Sequence, residues 1–238
     1  AAMTNLQSLT MESYQGSFPK TMSNLVQLRT LKLSKCMNIF SPFDVSKLTN
    51  LTKLDVSKTG IVKIDGLDQL TKLKTFHFGT IHLHPDDIER GGDNFVDFDV
   101  PSDINKLVNL LELKISDLKE YASPYVSVIE HLPTDLFSSS MKLEHLTLES
   151  LTQLKNLPDC VLQLSSLRVL SLHDIGKVSE KGINNATPHH TCFELPEQIG
   201  DLSALEEFEF IGSYTDDGGG VGITKLPKSF GKLKHLKK

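Results

Sequence analysis

Hydrophobic positions recur along the chain in one composite pattern, clearest between Leu146 and Leu172. Leu146-Thr-Leu148 has the period of two with which a strand buries one face. Leucines then come every third residue, at Leu151, Leu154 and Leu157, and lead into Leu157-Pro-x-x-Val161-x-x-Leu164-x-x-Leu167. That three-to-four spacing suits a short helical turn. One unit supplies a strand and a return path, and neither buries its apolar side alone. The pattern therefore predicts a stack of similar units.

The copies are found at consistent phase. Marker leucines fall at Leu6, Leu28, Leu51, Leu73, Leu110, Leu143, Leu167, Leu205 and Leu236, in steps of 22, 23, 22, 37, 33, 24, 38 and 31 residues. The predicted strand cores are Leu9-Thr-Met11, Leu31-Lys-Leu33, Leu54-Asp-Val56, Phe76-His-Phe78, Leu113-Lys-Ile115, Leu146-Thr-Leu148, Leu170-Ser-Leu172 and Phe208-Glu-Phe210. A proline precedes the return at Pro19, Pro42, Pro101, Pro133, Pro158, Pro196 and Pro227, where its fixed φ and missing N–H suit a first helical turn. The third copy, running through Gly66 and Leu67, has none. Met22, Val45, Leu67, Ile104, Leu136, Val161, Ile199 and Phe230 are expected to point inward beneath the sheet. Strands stacked about 4.8 Å apart, with wider returns behind them, must bend toward the sheet. The expected architecture is an α/β solenoid: a curved right-handed horseshoe with a concave parallel sheet and short helical or 3-10 returns on the convex side.

The long steps place their extra residues after the strand, at 79–99, 116–131, 173–194 and 212–225. Insertions at one phase emerge on one edge, so a ragged rim is expected over the carboxy-terminal half. An extra residue before Leu143, in the run Phe137-Ser-Ser-Ser-Met141, predicts a local irregularity. The chain opens at Met3-Thr-Asn-Leu6 and stops at Leu233-Lys-His-Leu236, with no polar cap. Residues 1–238 are expected to form one repeat domain, a segment of a longer solenoid in a multidomain protein.

With the units laid out, the chain resembles the leucine-rich repeat domain of plant intracellular nucleotide-binding immune receptors. The residues carrying the resemblance are Leu146–Leu172, Leu195-Pro-Glu-Gln-Ile-Gly-Asp-Leu202, Leu226-Pro-Lys-Ser-Phe-Gly-Lys-Leu233 and Leu31-Lys-Leu-Ser-Lys-Cys36. The resemblance implies a cytoplasmic protein that recognises a pathogen effector or a host protein. It also implies contact with other domains of the same chain, including a nucleotide-dependent switch held inactive. This sequence departs from the pattern in three ways. It has no G-x-x-x-x-G-K-[ST] motif. The position after the strand that is asparagine or cysteine in regular repeats is Cys36 once, then Thr59, Ile81, Leu118, Leu151, Ile175 and Ser213. Gly16-Ser-Phe-Pro19 is similar instead to a motif of plant cell-surface receptors, whose ectodomains bind peptides or glycans.

Composition narrows the functional classes. A net charge of -5 argues against a nucleic-acid footprint. No apolar run is long enough to span a bilayer. Three widely spaced cysteines, Cys36, Cys160 and Cys192, suggest no disulfide framework and fit a reducing compartment. The sequons Asn50-Leu-Thr52 and Asn185-Ala-Thr187 point the other way.

Candidate chemistry is sparse. The acidic run Asp86, Asp87, Glu89, Asp93, Asp97 and Asp99 faces only Arg90; it reads as a solvated loop, or as a rim patch for a basic partner. His77, His82 and His84 near Asp86, and His189-His190-x-Cys192, have zinc-ligand residue types without zinc-site spacing. Asp216-Asp-Gly-Gly-Gly-Val-Gly222 lacks the lysine and hydroxyl of a phosphate cradle. No catalytic, cofactor or metal residues are assigned. Binding is expected instead on the concave face, through Lys32, Lys53, Asp55, His77, Glu112, Lys114, His145, Glu149, His173, Glu207 and Glu209. Lysines there lie in the earlier repeats and glutamates gather later, which suits a protein partner with the opposite gradient. The expected function is protein recognition without catalysis. A receptor ectodomain and a scaffold or substrate-adaptor subunit are the alternatives.

Overall fold

The structure, a computed structural model, describes residues 3–16, 20–36, 38–39, 43–61, 63–81, 100–118, 129, 131–138, 142–154, 156–176, 191–212, 221–223 and 225–238. Among the described residues there are twelve strands: β1 (Ser8–Thr10), β2 (Thr30–Lys32), β3 (Phe43–Asp44), β4 (Lys53–Thr59), β5 (Ile64–Asp65), β6 (Thr75–Ile81), β7 (Glu112–Leu118), β8 (His145–Glu149), β9 (Val169–Ile175), β10 (Thr191–Cys192), β11 (Glu207–Gly212) and β12 (Val221–Gly222). Eight of them form one parallel sheet in the order β1-β2-β4-β6-β7-β8-β9-β11. Each neighbouring pair is in register at the first core position, so that Leu9, Leu31, Leu54, Phe76, Leu113, Leu146, Leu170 and Phe208 form a single row.

The spacing of the leucines becomes hydrogen-bond geometry. The N–H of Leu28, Leu51, Leu73, Leu110, Leu167, Leu205 and Leu236 donates to the carbonyl three residues back, each time that of the preceding leucine. In the same way Leu25, Leu48, Leu70, Leu107, Leu164, Leu202 and Leu233 bond to Met22, Val45, Leu67, Ile104, Val161, Ile199 and Phe230. Three-residue hydrogen-bonded turns are 3-10 geometry. Accordingly the returns at Lys20–Asn24, Leu67–Gln69, Ser102–Lys106, Glu197–Asp201 and Lys228–Lys232 are 3-10 helices, and one, α1 (Asp159–Leu162), is a single α-turn. Pro101, Pro158, Pro196 and Pro227 stand at the N-cap of their helices. Where the proline is missing, Gly66 starts the helix with φ 78°, a left-handed conformation that favours glycine. A side chain there would also strike the Ser46 backbone, with Cα 2.5 Å from the added Cβ.

Coils are joined by a main-chain ladder just before each strand. The Gln7 carbonyl accepts from the N–H groups of Arg29 and Thr30, that of Arg29 from Thr52 and Lys53, and that of Thr52 from Lys74 and Thr75. The same double acceptance continues through Lys74, Leu111, Glu144, Arg168 and Glu206. Between sheet and returns lies one aliphatic core. Val45, Leu67, Ile104, Leu136, Val161 and Ile199 are fully buried, whereas Met22 and Phe230 are half-buried against it. Phe76 and Phe78 stack at 5.8 Å, and Phe208 meets Phe230 edge to face at 5.6 Å.

The structure corrects the expected pattern in three places. The strands of the long repeats run on into the stretches assigned to insertions: β6 reaches Ile81 and β7 reaches Leu118, paired as Gly79↔Ser116, Thr80↔Asp117 and Ile81↔Leu118. The insertions at 173–194 and 212–225 likewise contain strand residues, with Thr191–Cys192 pairing in parallel with Val221–Gly222. The return after position 42 begins as strand β3, paired with β5, and not as a helical turn. One regularity was not expected at all. Ser13, Lys35, Lys58, Ser150 and Asp174 occupy the same repeat position and all have positive φ, between 50° and 59°. This left-handed residue turns the chain off the sheet, and at Lys58 and Asp174 it adds a bulge against the neighbouring strand.

Candidate protein-binding face

Side chains alternate along each strand, so the residues between the core leucines line the open face of the eight-stranded sheet. Three parallel rows result. The first carries Lys53, Thr75, Glu112, His145, Val169 and Glu207; the second Lys32, Asp55, His77, Lys114, Thr147, Ser171 and Glu209; the third Ser116, Glu149, His173 and Ile211. All eleven concave residues expected to bind therefore lie on one surface. The rim residues Asp86, Asp87, Glu89 and Asp93, together with His82, His84, His189 and His190, lie outside the described residues.

At the centre of the face, His77 bridges two strands. Its Nε2 is 2.8 Å from Glu112 Oε1 and its Nδ1 is 3.6 Å from Asp55 Oδ2. Asp55 Oδ1 also accepts from the Ser57 hydroxyl at 2.6 Å and the Ser57 N–H at 3.1 Å. Burial alone would raise the Asp55 carboxyl, but the hydrogen bonds from His77 and Ser57 outweigh it and hold the pKa down to about 2. Burial opposes the charge on His77 too, and the two carboxylates overcome it and raise the imidazole above its ordinary value. Asp55 is 8% exposed, so it holds the face together from within and offers little surface to a partner.

Two further pairs cross strands diagonally. Lys114 is ion-paired with Glu149, and His173 Nε2 is 2.9 Å from Glu209 Oε2, with Lys238 Nζ 3.8 Å from the other Glu209 oxygen. These partners, in repeats 35 or 36 residues apart, correct the picture of a free charge gradient. Most of the later glutamates are already matched by a cation. The edge along which the strands begin follows the same rule: Arg168 lies 2.8 Å from Glu206 and 3.9 Å from Glu144, and Lys237 lies 2.8 Å from Glu206. A depression of about 300 Å³ opens beside this network, lined by Glu144, Ser166, Arg168, Ala204, Glu206 and His235.

The variable position after the strand is structural. Cys36 Sγ donates to the carbonyls of Met11 and Ser34 at 3.5 and 3.7 Å. Thr59 replaces it in the next coil, its hydroxyl donating to the Val56 carbonyl at 2.8 Å and accepting from the Ile61 N–H at 3.3 Å. Cys36 and Cys160 are free and buried, and burial raises both thiols, Cys160 to about 11. Asn50 and Thr52, the first sequon, are rungs between coils: Asn50 Nδ2 donates to the Val26 carbonyl at 3.0 Å and the Thr52 hydroxyl to the Arg29 carbonyl at 3.0 Å. Among the described residues no cluster of histidine, cysteine and carboxylate side chains could hold a metal ion. No helix among them is long and apolar enough to cross a membrane.

Neither a family model nor a curated protein matches the sequence. Solved structures do match the fold. A leucine-rich repeat protein of Leptospira interrogans aligns at 20% identity over 98% of this chain and 54% of its own length, with a TM-score of 0.54. Internalin C2 of Listeria monocytogenes aligns at 16% identity over 96% of this chain and 77% of its own length, with a TM-score of 0.52. The chain thus spans about half of the Leptospira structure, 54% of its length. At such identities the likeness is one of architecture, and together with the eight-stranded parallel sheet it makes this chain a leucine-rich repeat solenoid.

Proposed function

We propose that the chain is a protein-recognition module whose partner lies across the open face of the sheet. The observation that carries this reading is the face itself: eight strands present contiguous rows of hydroxyl and charged side chains on a rigid aliphatic support. Such a surface encloses no substrate, and it matches the dimensions of a protein interface more than those of a small-molecule cleft. The finer assignment is to the sensing repeats of a plant intracellular immune receptor, which bind a pathogen effector or host protein and restrain other domains of the same chain. Three features support it: the Leu-Pro-x-x-Ile/Val-x-x-Leu units, the buried free thiols, and the structural use of Asn50 and Thr52. A cytoplasmic location follows from that assignment.

Photo-crosslinking amino acids placed one at a time at Thr30, His145 and Thr147 on the face, and at Glu197 and Lys228 on the returns, test the binding surface. Crosslinks to a co-purifying protein are expected from the first three positions. Crosslinks confined to Glu197 and Lys228 would overturn the reading. The finer assignment is tested on the full-length protein: a nucleotide-binding switch whose exchange the repeats slow is expected. Glycan occupancy at Asn50 or Asn185 of the native protein would move the chain to the receptor ectodomains.

A further inference from the structure

On the open face of the sheet and along the edge where its strands begin, the cations of the two halves are treated differently; elsewhere Lys35, Lys63 and Lys106 of the amino-terminal half are paired too. In the carboxy-terminal half, Lys114, Arg168, Lys237 and Lys238 all have carboxylate partners. In the amino-terminal half of the face, Arg29, Lys32, Lys53 and Lys74 have no carboxylate within 4.0 Å among the described residues, and Lys53 acts on Glu112 only from farther away. The carboxylates around them are already engaged: Glu12 with Lys35 at 3.0 Å, Asp55 with Ser57 and His77, and Glu112 with His77 at 2.8 Å. The four cations are also neighbours. Lys53 pairs in register with Thr30, which follows Arg29, and the main-chain ladder runs from Arg29 through Thr52 to Lys74. Three adjacent strands at about 4.8 Å spacing place the whole cluster within roughly 10 Å across the sheet, the reach of about three extended residues.

We infer that this cluster is the docking site for an acidic, extended segment of the protein partner. The inference rests on the reading of the open face as a protein-binding surface and adds where the partner docks and with what chemistry. Four unpaired cations in a chain of net charge -5 form a local field opposite in sign to the whole. Ser8, Thr10 and Thr30 on the flanking positions add hydroxyl donors for carboxylates. A nucleic acid fits less well. Among its described residues the face carries no phenylalanine or tyrosine on which a base could stack, and a phosphate backbone continuing along it would meet Glu112, Glu149, Glu207 and Glu209.

The test is an anisotropy titration of the whole chain with fluorescein-labelled decaglutamate at low salt, beside a labelled decathymidylate. Saturable binding of decaglutamate is expected, weakened about tenfold or more by Lys32→Glu with Lys53→Glu. Reversal at the remote pair Lys228→Glu with Lys234→Glu should leave it within about twofold. If the double reversal fails to fold, as judged by circular dichroism, Lys32→Gln with Lys53→Gln replaces it and should weaken binding about threefold. Undiminished binding in the folded variants overturns the inference, and so does tighter binding of decathymidylate at the same lysines. If decaglutamate does not bind while Thr30 and Thr147 still crosslink, this inference falls and the reading of the face stands.

Discussion

The two halves of the sheet face are built on the same interior and differ in how they use their charge. In the carboxy-terminal half, Lys114 and His173 are paired with glutamates of the neighbouring coil, Glu149 and Glu209. In the amino-terminal half, Lys32 and Lys53 stand beside hydroxyls with no such partner among the described residues. Charge present on a surface is therefore distinct from charge available to a ligand. A self-paired surface can offer shape and hydrogen bonds, but a partner must break an ion pair to use its charge. The His77 bridge, with Asp55 on one side and Glu112 on the other, marks the boundary between the two regimes.

The largest expected effects are those that treat the halves alike. Leu54→Ala and Leu146→Ala each empty a fully buried site in the same row and should each cost about 2–5 kcal/mol in urea unfolding. A negligible cost at one of them would show that the halves do not share one core. Gly66→Ala should cost about 1–3 kcal/mol, because it forces a side chain into a left-handed residue already touching Ser46.

The boundary itself should report on pH. Asp55 is held at about 2 against an ordinary 3.8, so its contribution, about 2 kcal/mol, is present above 3.8 and lost as pH falls through 2. His77 is raised above 6.5, so its contribution is complete below that value and lost as pH rises through the raised one. Unfolding midpoints of the wild type should therefore peak between these limits. Asp55→Asn should flatten the acid limb, and an unchanged acid limb in that variant would remove Asp55 from the network. Smallest are the single charges. Lys114→Met leaves Glu149 without its cation and should cost about 1 kcal/mol, while Lys53→Met should stay within about 0.5 kcal/mol. Equal costs at the two lysines would erase the distinction between the halves.

Much of this fold was legible in the residues. L-x-L cores at one phase specify which strand faces share a row, and Leu9 through Phe208 align as that phase requires. Leu-Pro followed by an apolar residue three positions on specifies where a 3-10 turn begins, as at Leu195, Pro196 and Ile199. What escaped local pattern depends on the next coil. β6 continues past Phe78 by pairing with β7, and glycine stands at position 79 because an added Cβ would meet the Ser116 backbone oxygen at 2.3 Å. The left-handed residues at Ser13, Lys35, Lys58, Ser150 and Asp174 share no residue type, only a place in the coil. The concave residues were legible as a surface, and their pairing was not. His77 and Glu112 are separated by 35 residues in sequence, and their meeting depends on strand register and on a diagonal reach that no spacing rule encodes. Asp55 shows the same dependence: polarity places it on the face, and how far His77 and Ser57 cover it depends on the next coil.

Available and spent charge are separated most directly by two matched neutralisations, each removing two charged side chains from the same face. Decaglutamate affinity is measured for Lys32→Gln with Lys53→Gln, and for Lys114→Gln with Glu149→Gln, under identical low-salt conditions. Loss of affinity of about threefold or more in the first variant, with less than about a twofold change in the second, is the expected result. Equal losses in both variants, or a loss confined to the Lys114–Glu149 pair, would contradict the division of the face into an available half and a self-paired half.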